Sequence, residues 1–159
     1  EVSAFIKSRP EGTVYYKTDL KTVADTSANA VVYIQAINNA FTKYPIKVED
    51  FALLQGVVTT PNTKSVNLEI KFVADKYKSL ANTLLATPVV LGEVDVHLNL
   101  LNSIVTMSEI LNDISLYAVD PVPALASLYQ AGDILEEMSK NLEILNQDII
   151  NATSGSINI

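Results

Sequence analysis

Apolar residues recur along this chain at alternating steps of three and four. Leu128, Ala131, Leu135, Met138, Leu142, Leu145, Ile149 and Ala152 follow one another in this way. The spacing tracks the 3.6-residue turn of an α-helix and gathers the apolar side chains into a stripe that another element must cover. Val66, Ile70, Val73, Tyr77, Leu80 and Leu84 form a second stripe. Leu20, Val23, Ser27, Ala30, Ile34, Ile37, Phe41 and Tyr44 form a third. Between Pro88 and Ala118 the pattern inverts. Asp95, Asn99, Asn102, Thr106, Glu109 and Asp113 keep the helical spacing, and nearly everything around them is apolar. Such a helix is buried on every side but one.

The spacing predicts long helices over 19–44, 64–86, 88–118 and 121–152. Pro45 closes the first, because the residue before a proline is driven out of the helical region. Thr87-Pro88 and Asp120-Pro121 each read as a cap followed by proline at the first helical position, where its missing N–H is no loss. A short helix over 48–58 is expected in the first connection, with Glu49 and Asp50 at its positive end. Gly56 and the run Thr59-Thr60-Pro61-Asn62 close that connection. The later joints are short, so neighbouring helices should run antiparallel.

The expected class is all-α: an elongated antiparallel four-helix bundle with a short extra helix in the first connection. Residues 1–18 read as an N-terminal extended segment, 19–152 as the bundle domain and 153–159 as a C-terminal tail. In the first segment Val2, Ala4, Phe5 and Ile6 are an apolar patch, Pro10-Glu11-Gly12 a turn and Thr13–Tyr16 a short extended piece. One conflict stands against the class. Val66–Phe72 and Glu93–Leu100 alternate with period two, the signature of half-buried strands. The rival is therefore an α+β domain with a small hairpin near 57–72. The longer three-and-four pattern, and the lack of Gly or Pro over 62–87, favour helix.

Composition excludes several functions. The 159 residues contain no Cys, which removes disulfide scaffolds, zinc fingers and thiol nucleophiles. A net charge of −7 opposes nucleic-acid binding, which needs a basic face. The charge is lopsided: residues 1–79 carry ten Lys+Arg and eight Asp+Glu, whereas residues 80–159 carry Lys140 and ten Asp+Glu. No apolar run approaches the roughly 20 residues of a membrane span, so no membrane insertion of this segment is expected.

The sole histidine, His97, lies four residues after Glu93, so the two share a helix face and could supply two metal ligands. A di-iron bundle needs Glu-x-x-His from two helices, and none is present. A histidine packed by Leu101 and Ile104 and bonded locally is the favoured reading. No Gly-x-Ser-x-Gly elbow, phosphate-binding Gly loop, calcium loop or dinucleotide fingerprint occurs. The expectation is a non-enzyme with no catalytic, cofactor-binding or metal-binding residue and no cofactor. Seven tyrosines could line a ligand slot, but several lie on or beside the apolar stripes and read as packing. The stripe Asp95, Asn99, Asn102, Thr106, Glu109 and Asp113 is the candidate interaction surface. Asn and Asp side chains can exchange hydrogen bonds with a neighbour. An acidic half and a slightly basic half would let copies stack head to tail.

Tyr16-x-x-Asp19-Leu20-x-x-Val23-x-Asp25-x-Ser27, Pro88 followed by His97-Leu-x-Leu-Leu-Asn102, and Asp120-Pro-x-x-Ala-Leu-x-x-Leu-Tyr129 together resemble a pattern found in exported helical-bundle proteins of candidate-phyla bacteria. The resemblance covers about residues 15–130, and its motifs are packing and capping signals. It implies an export or anchor segment ahead of Glu1 and an extracytoplasmic helical domain, and it implies no catalytic residues; the expected location is extracellular or at the cell surface, with the leader removed. The expected function is a self-associating structural or interaction module, such as a cell-surface or filament subunit. Its partner would be another copy or another surface protein. The alternative is an extracytoplasmic ligand-binding bundle of the sensor type.

Overall fold

The computed structural model describes residues 12–59 and 64–154. The apolar patch Val2–Ile6, the first residues of the Pro10–Gly12 turn, the Thr60–Asn62 run and the tail beyond Ser154 lie outside the described residues. So does the side chain of Ala152. Five α-helices follow along the described chain: α1 (Ser27–Lys43), α2 (Val48–Thr59), α3 (Lys64–Ala86), α4 (Val94–Ser115) and α5 (Pro121–Ser154). The fold is an all-α helical bundle. Both period-two windows are helical: 66–72 lies within α3, and 93–100 enters α4. Among the described residues, one two-stranded parallel pair, β1 (Thr22–Val23) and β2 (Val89–Val90), sets Thr22 beside Val89 and Val23 beside Val90.

Two helix starts differ from the expected ones, for one reason. The first helix begins at Ser27, not at 19. Thr26 caps it, accepting a hydrogen bond from the Asn29 N–H at 3.2 Å. The helix expected from 88 begins at Val94. Residues 89–90 are extended instead, and the Val89 N–H donates to the Lys21 carbonyl at 2.8 Å. Adjacent β-branched valines suit an extended chain, and here a partner strand satisfies their backbone. Leu20 is buried and Val23 half-buried, so they prolong the apolar rhythm without being helical. Periodicity reports burial, and here burial outruns the helix. The buried face of α1 also centres on Tyr33, Ile37 and Ala40, with Ile34 and Phe41 half-buried at its margin.

Helix α4 is the axis of the molecule. Thirteen of its residues are buried, from Val94 to Ser115. It packs most extensively against α3 and α5, while α2 lies on α3 and α1 lies on α3 and β2. Cross-links give the directions. The Ser108 hydroxyl donates to the Ala74 carbonyl and His97 meets the Leu84 carbonyl, so α3 and α4 are antiparallel. The Ser127 hydroxyl donates to Asp113 beside the short joint 116–120, and α5 packs extensively back along α4, which makes them a second antiparallel pair. Ile70, Leu80, Leu84, Leu100, Leu101 and Ile104 are among the fully buried side chains between them. No described helix is long and apolar enough to cross a membrane.

A core position and an exposed one should separate cleanly. Leu111→Ala, at a fully buried site of α4, should lower unfolding free energy in a urea titration by about 2–5 kcal/mol. Leu68→Ala, 61% exposed on α3, should change it by less than about 0.5 kcal/mol.

Candidate functional site

The polar stripe of α4 holds the chain's own N-terminal arm, residues 12–19. The Tyr15 N–H donates to Asn102 Oδ1 at 2.8 Å, and Asn102 Nδ2 donates back to the Tyr15 carbonyl at 3.0 Å. One side-chain amide thus does for Tyr15 what a neighbouring β-strand would do. The Thr13 N–H donates to Glu109 Oε1 at 3.0 Å, and Lys17 pairs with Asp95 at 2.5 Å. Arm residues 13, 15 and 17 therefore meet helix residues 109, 102 and 95, and the arm runs antiparallel to α4. Alternate residues of an extended chain face the same side, and every seventh residue of a helix returns close to the same line. The two periodicities meet on this face. Tyr15 is half-buried, while Val14 and Tyr16 stay 56% and 65% exposed.

The structure gives the other stripe residues separate places. Asp113 accepts from Ser127 Oγ at 2.9 Å and ties α4 to α5. Asn99 is exposed and Thr106 half-buried. The six stripe positions all fall within α4, and their spacing carries no link to residues 13–17. The available signal is the short extended piece Thr13–Tyr16, rich in β-branched and aromatic residues, whose partner no spacing rule names. Beside the arm an open groove of about 450 Å³ runs between α3 and α4. Thr13, Tyr15, Lys71, Lys78, Ser108 and Glu109 are on its walls. It carries both signs of charge, and Lys71 is itself paired with Asp75.

His97 is built into the core. Its Nε2 lies 3.0 Å from the Leu84 carbonyl, and its Nδ1 lies 3.1 Å from the Tyr33 hydroxyl. A carbonyl only accepts, so Nε2 carries the proton and Nδ1 accepts from Tyr33. Burial pushes the His97 pKa down, although the Leu84 carbonyl opposes the shift, and the ring is neutral at neutral pH. Both nitrogens are engaged, which leaves neither for a ligand. Burial, then the charges of Glu93 and Asp148, push the Tyr33 hydroxyl far above the ordinary tyrosine range. Glu93 precedes α4 as its N-cap, and its Oε2 is shielded from solvent without a hydrogen bond. Burial, then Asp148 and Asp25, raise its pKa above the ordinary 4.5. Asp25 is itself tied to the Gly92 N–H at 3.0 Å. Among the described residues no group of three His, Asp or Glu side chains is arranged to hold a metal ion.

A second polar knot fastens α2. Asp50 Oδ2 accepts from the Lys47 N–H at 3.0 Å, capping the helix start. The same oxygen pairs with Lys76 at 2.5 Å and lies 3.5 Å from the Tyr77 hydroxyl. Burial, then Asp50, hold Tyr77 well above the ordinary range. Phe51 meets the Tyr77 ring edge-on at 6.2 Å. Compared with family models, curated proteins and solved structures, the chain finds no match.

Two outcomes follow from this chemistry. Asn102→Leu removes both bonds to Tyr15, so trypsin should cut after Lys17 faster than in the parent, while helical circular dichroism stays unchanged. The raised pKa of Glu93 means that its contribution is fully present below about pH 4.5 and lost as pH rises through the folded-state value. Glu93→Gln should therefore melt higher than the parent at pH 7, with the difference closing by about pH 4.

Proposed function

We propose that the chain is a non-catalytic helical interaction module that associates with copies of itself, as a structural subunit outside the cytoplasm. One observation carries this reading. The side chains on the open face of α4 hold an extended polypeptide through its backbone: Asn102 takes both the N–H and the C=O of Tyr15, and Glu109 takes the N–H of Thr13. That is a way of binding protein. The groups best suited to acid–base work, His97 and Tyr33, are committed to each other and to Leu84 inside the core. Exposed apolar residues offer further contact area. Val122, Leu125 and Tyr129 share a face of α5 by their spacing and are 44%, 43% and 66% exposed. The extracytoplasmic placement is supported by the resemblance carried by residues 15–130 and is compatible with a chain that has no cysteine.

The alternative, a sensor-type bundle closed around a ligand, finds less support. Tyr33 and Tyr77 turn their hydroxyls to His97 and Asp50, and the α3–α4 groove is open and polar. Sedimentation velocity over rising concentration tests self-association. The weight-average mass should climb above the monomer's 17.3 kDa, less steeply at high salt. A strictly monomeric chain at high concentration, indifferent to salt, overturns the reading.

A further inference from the structure

We propose that copies join by exchanging their N-terminal arms: the seat on α4 takes residues 12–19 of a second copy in place of its own. This rests on the reading that the chain self-associates. The seat already shows which sequence it accepts, because Thr13, Tyr15 and Lys17 sit on Glu109, Asn102 and Asp95 of the same chain. An identical arm from a neighbour makes the same contacts, so the exchange loses none of them and is governed by concentration.

The arm is lightly held. From Gly12 to Asp19 only Tyr15 is half-buried and the rest are exposed. Its ion pair joins two side chains that are 62% and 72% exposed, and such pairs contribute little. Leu20, by contrast, is buried, and β1 is paired with β2. The boundary between loose and fixed chain therefore falls at the 3-10 turn Lys17–Asp19, which is closed by the Tyr16 N–H on Asp19 Oδ2 and the Asp19 N–H on the Tyr16 carbonyl. Opening that turn frees the eight residues of the arm and leaves β1 and the buried core side chains in place, with Tyr15 alone lifting from the edge of the core. With Lys17 seated on a neighbour's Asp95, the three steps from Lys17 to the fixed Leu20 span about 10–11 Å, close to the roughly 10–12 Å width of a helix, so the exchange joins two bundles in direct contact. An arm can thus lie across to a neighbour's α4 while its own bundle stays folded. Val14 and Tyr16, exposed on the outer side of the arm, then face the junction between two bundles, where their apolar surface gains cover. Charge agrees with the pairing, since Lys17 of the arm meets the acidic stripe of α4.

The chain has no cysteine, so single cysteines can be placed cleanly. A full-length Lys17→Cys chain is mixed with an affinity-tagged full-length Asp95→Cys chain at high concentration, and the pair is joined with a short bismaleimide. Both positions are exposed, so the fold is retained. Thr13→Cys with Glu109→Cys is a second pair of chains for the same test. Arm exchange yields mixed cross-linked dimers several-fold above the like–like products of either variant alone, falling on dilution. Mixed product no greater than those controls, in a chain that sedimentation shows to associate, overturns arm exchange and leaves self-association standing. A chain that neither cross-links nor associates overturns both.

Discussion

The rest of the fold depends on the burial of α4. A helix apolar around most of its circumference cannot remain in water, and its thirteen buried residues need walls on several sides. Helices α3 and α5 supply two of them, each antiparallel to α4 and each presenting one apolar stripe. What remains is the polar strip, where a third helix would have nothing apolar to pack on. The arm fills that place, because an extended segment brings backbone N–H and C=O groups that match Asn and Glu side chains. One helix surface therefore sets both the bundle and the way the N-terminal segment enters it.

The buried polar groups fit the same constraint. Burying a histidine is costly unless both nitrogens are satisfied. His97 meets that condition by linking three elements: Tyr33 from α1, Leu84 from the end of α3, and its own helix. Asp50 does the same for α2, holding Lys76 and its own helix start with one oxygen. Helices α1 and α2 bury less of their surface than α4 does, so specific polar links fix where they sit. Glu93 and Asn141 are the exceptions among the described residues: Asn141 Nδ2 on α5 is shielded without a hydrogen bond, and so is Glu93 Oε2. Glu93 adds a charge to the cost. Its shielded, unbonded oxygen stands near Asp148 and Asp25, a concentration of like charge where α4 begins.

The helices were legible in the sequence because burial imposes a period, and the period is written in residues such as Ile70, Val73, Tyr77, Leu80 and Leu84. The helix starts were less legible. Leu20 and Val23 obey the rhythm of α1 while lying outside it, and Pro88 resembles a helix opening while leading into β2. In both places a long-range contact, the pairing of residues 22–23 with 89–90, overrides a local signal. The site divides in the same way. The composition of the α4 stripe was visible from its spacing. Its occupant depends on which residues come together across some 87 positions of chain, as Tyr15 and Asn102 do, and no local rule encodes that.

The lopsided charge gains a physical meaning from the same contacts. Acidic residues collect on α4 and α5, yet the stripe spends Asp95, Glu109 and Asp113 on partners within the fold: a lysine, a backbone amide and a serine hydroxyl. Each contact places a donor against a carboxylate, which is the interaction that a negatively charged helix surface can make with any passing chain. The Tyr15 pairing reads backbone rather than side chain, so by itself it sets register and not identity. Identity rests on the half-buried Tyr15 ring and on Lys17 opposite Asp95. A seat that combines backbone capture with two side-chain checks is well matched to one recurring sequence, and the sequence it is seen to hold is the chain's own.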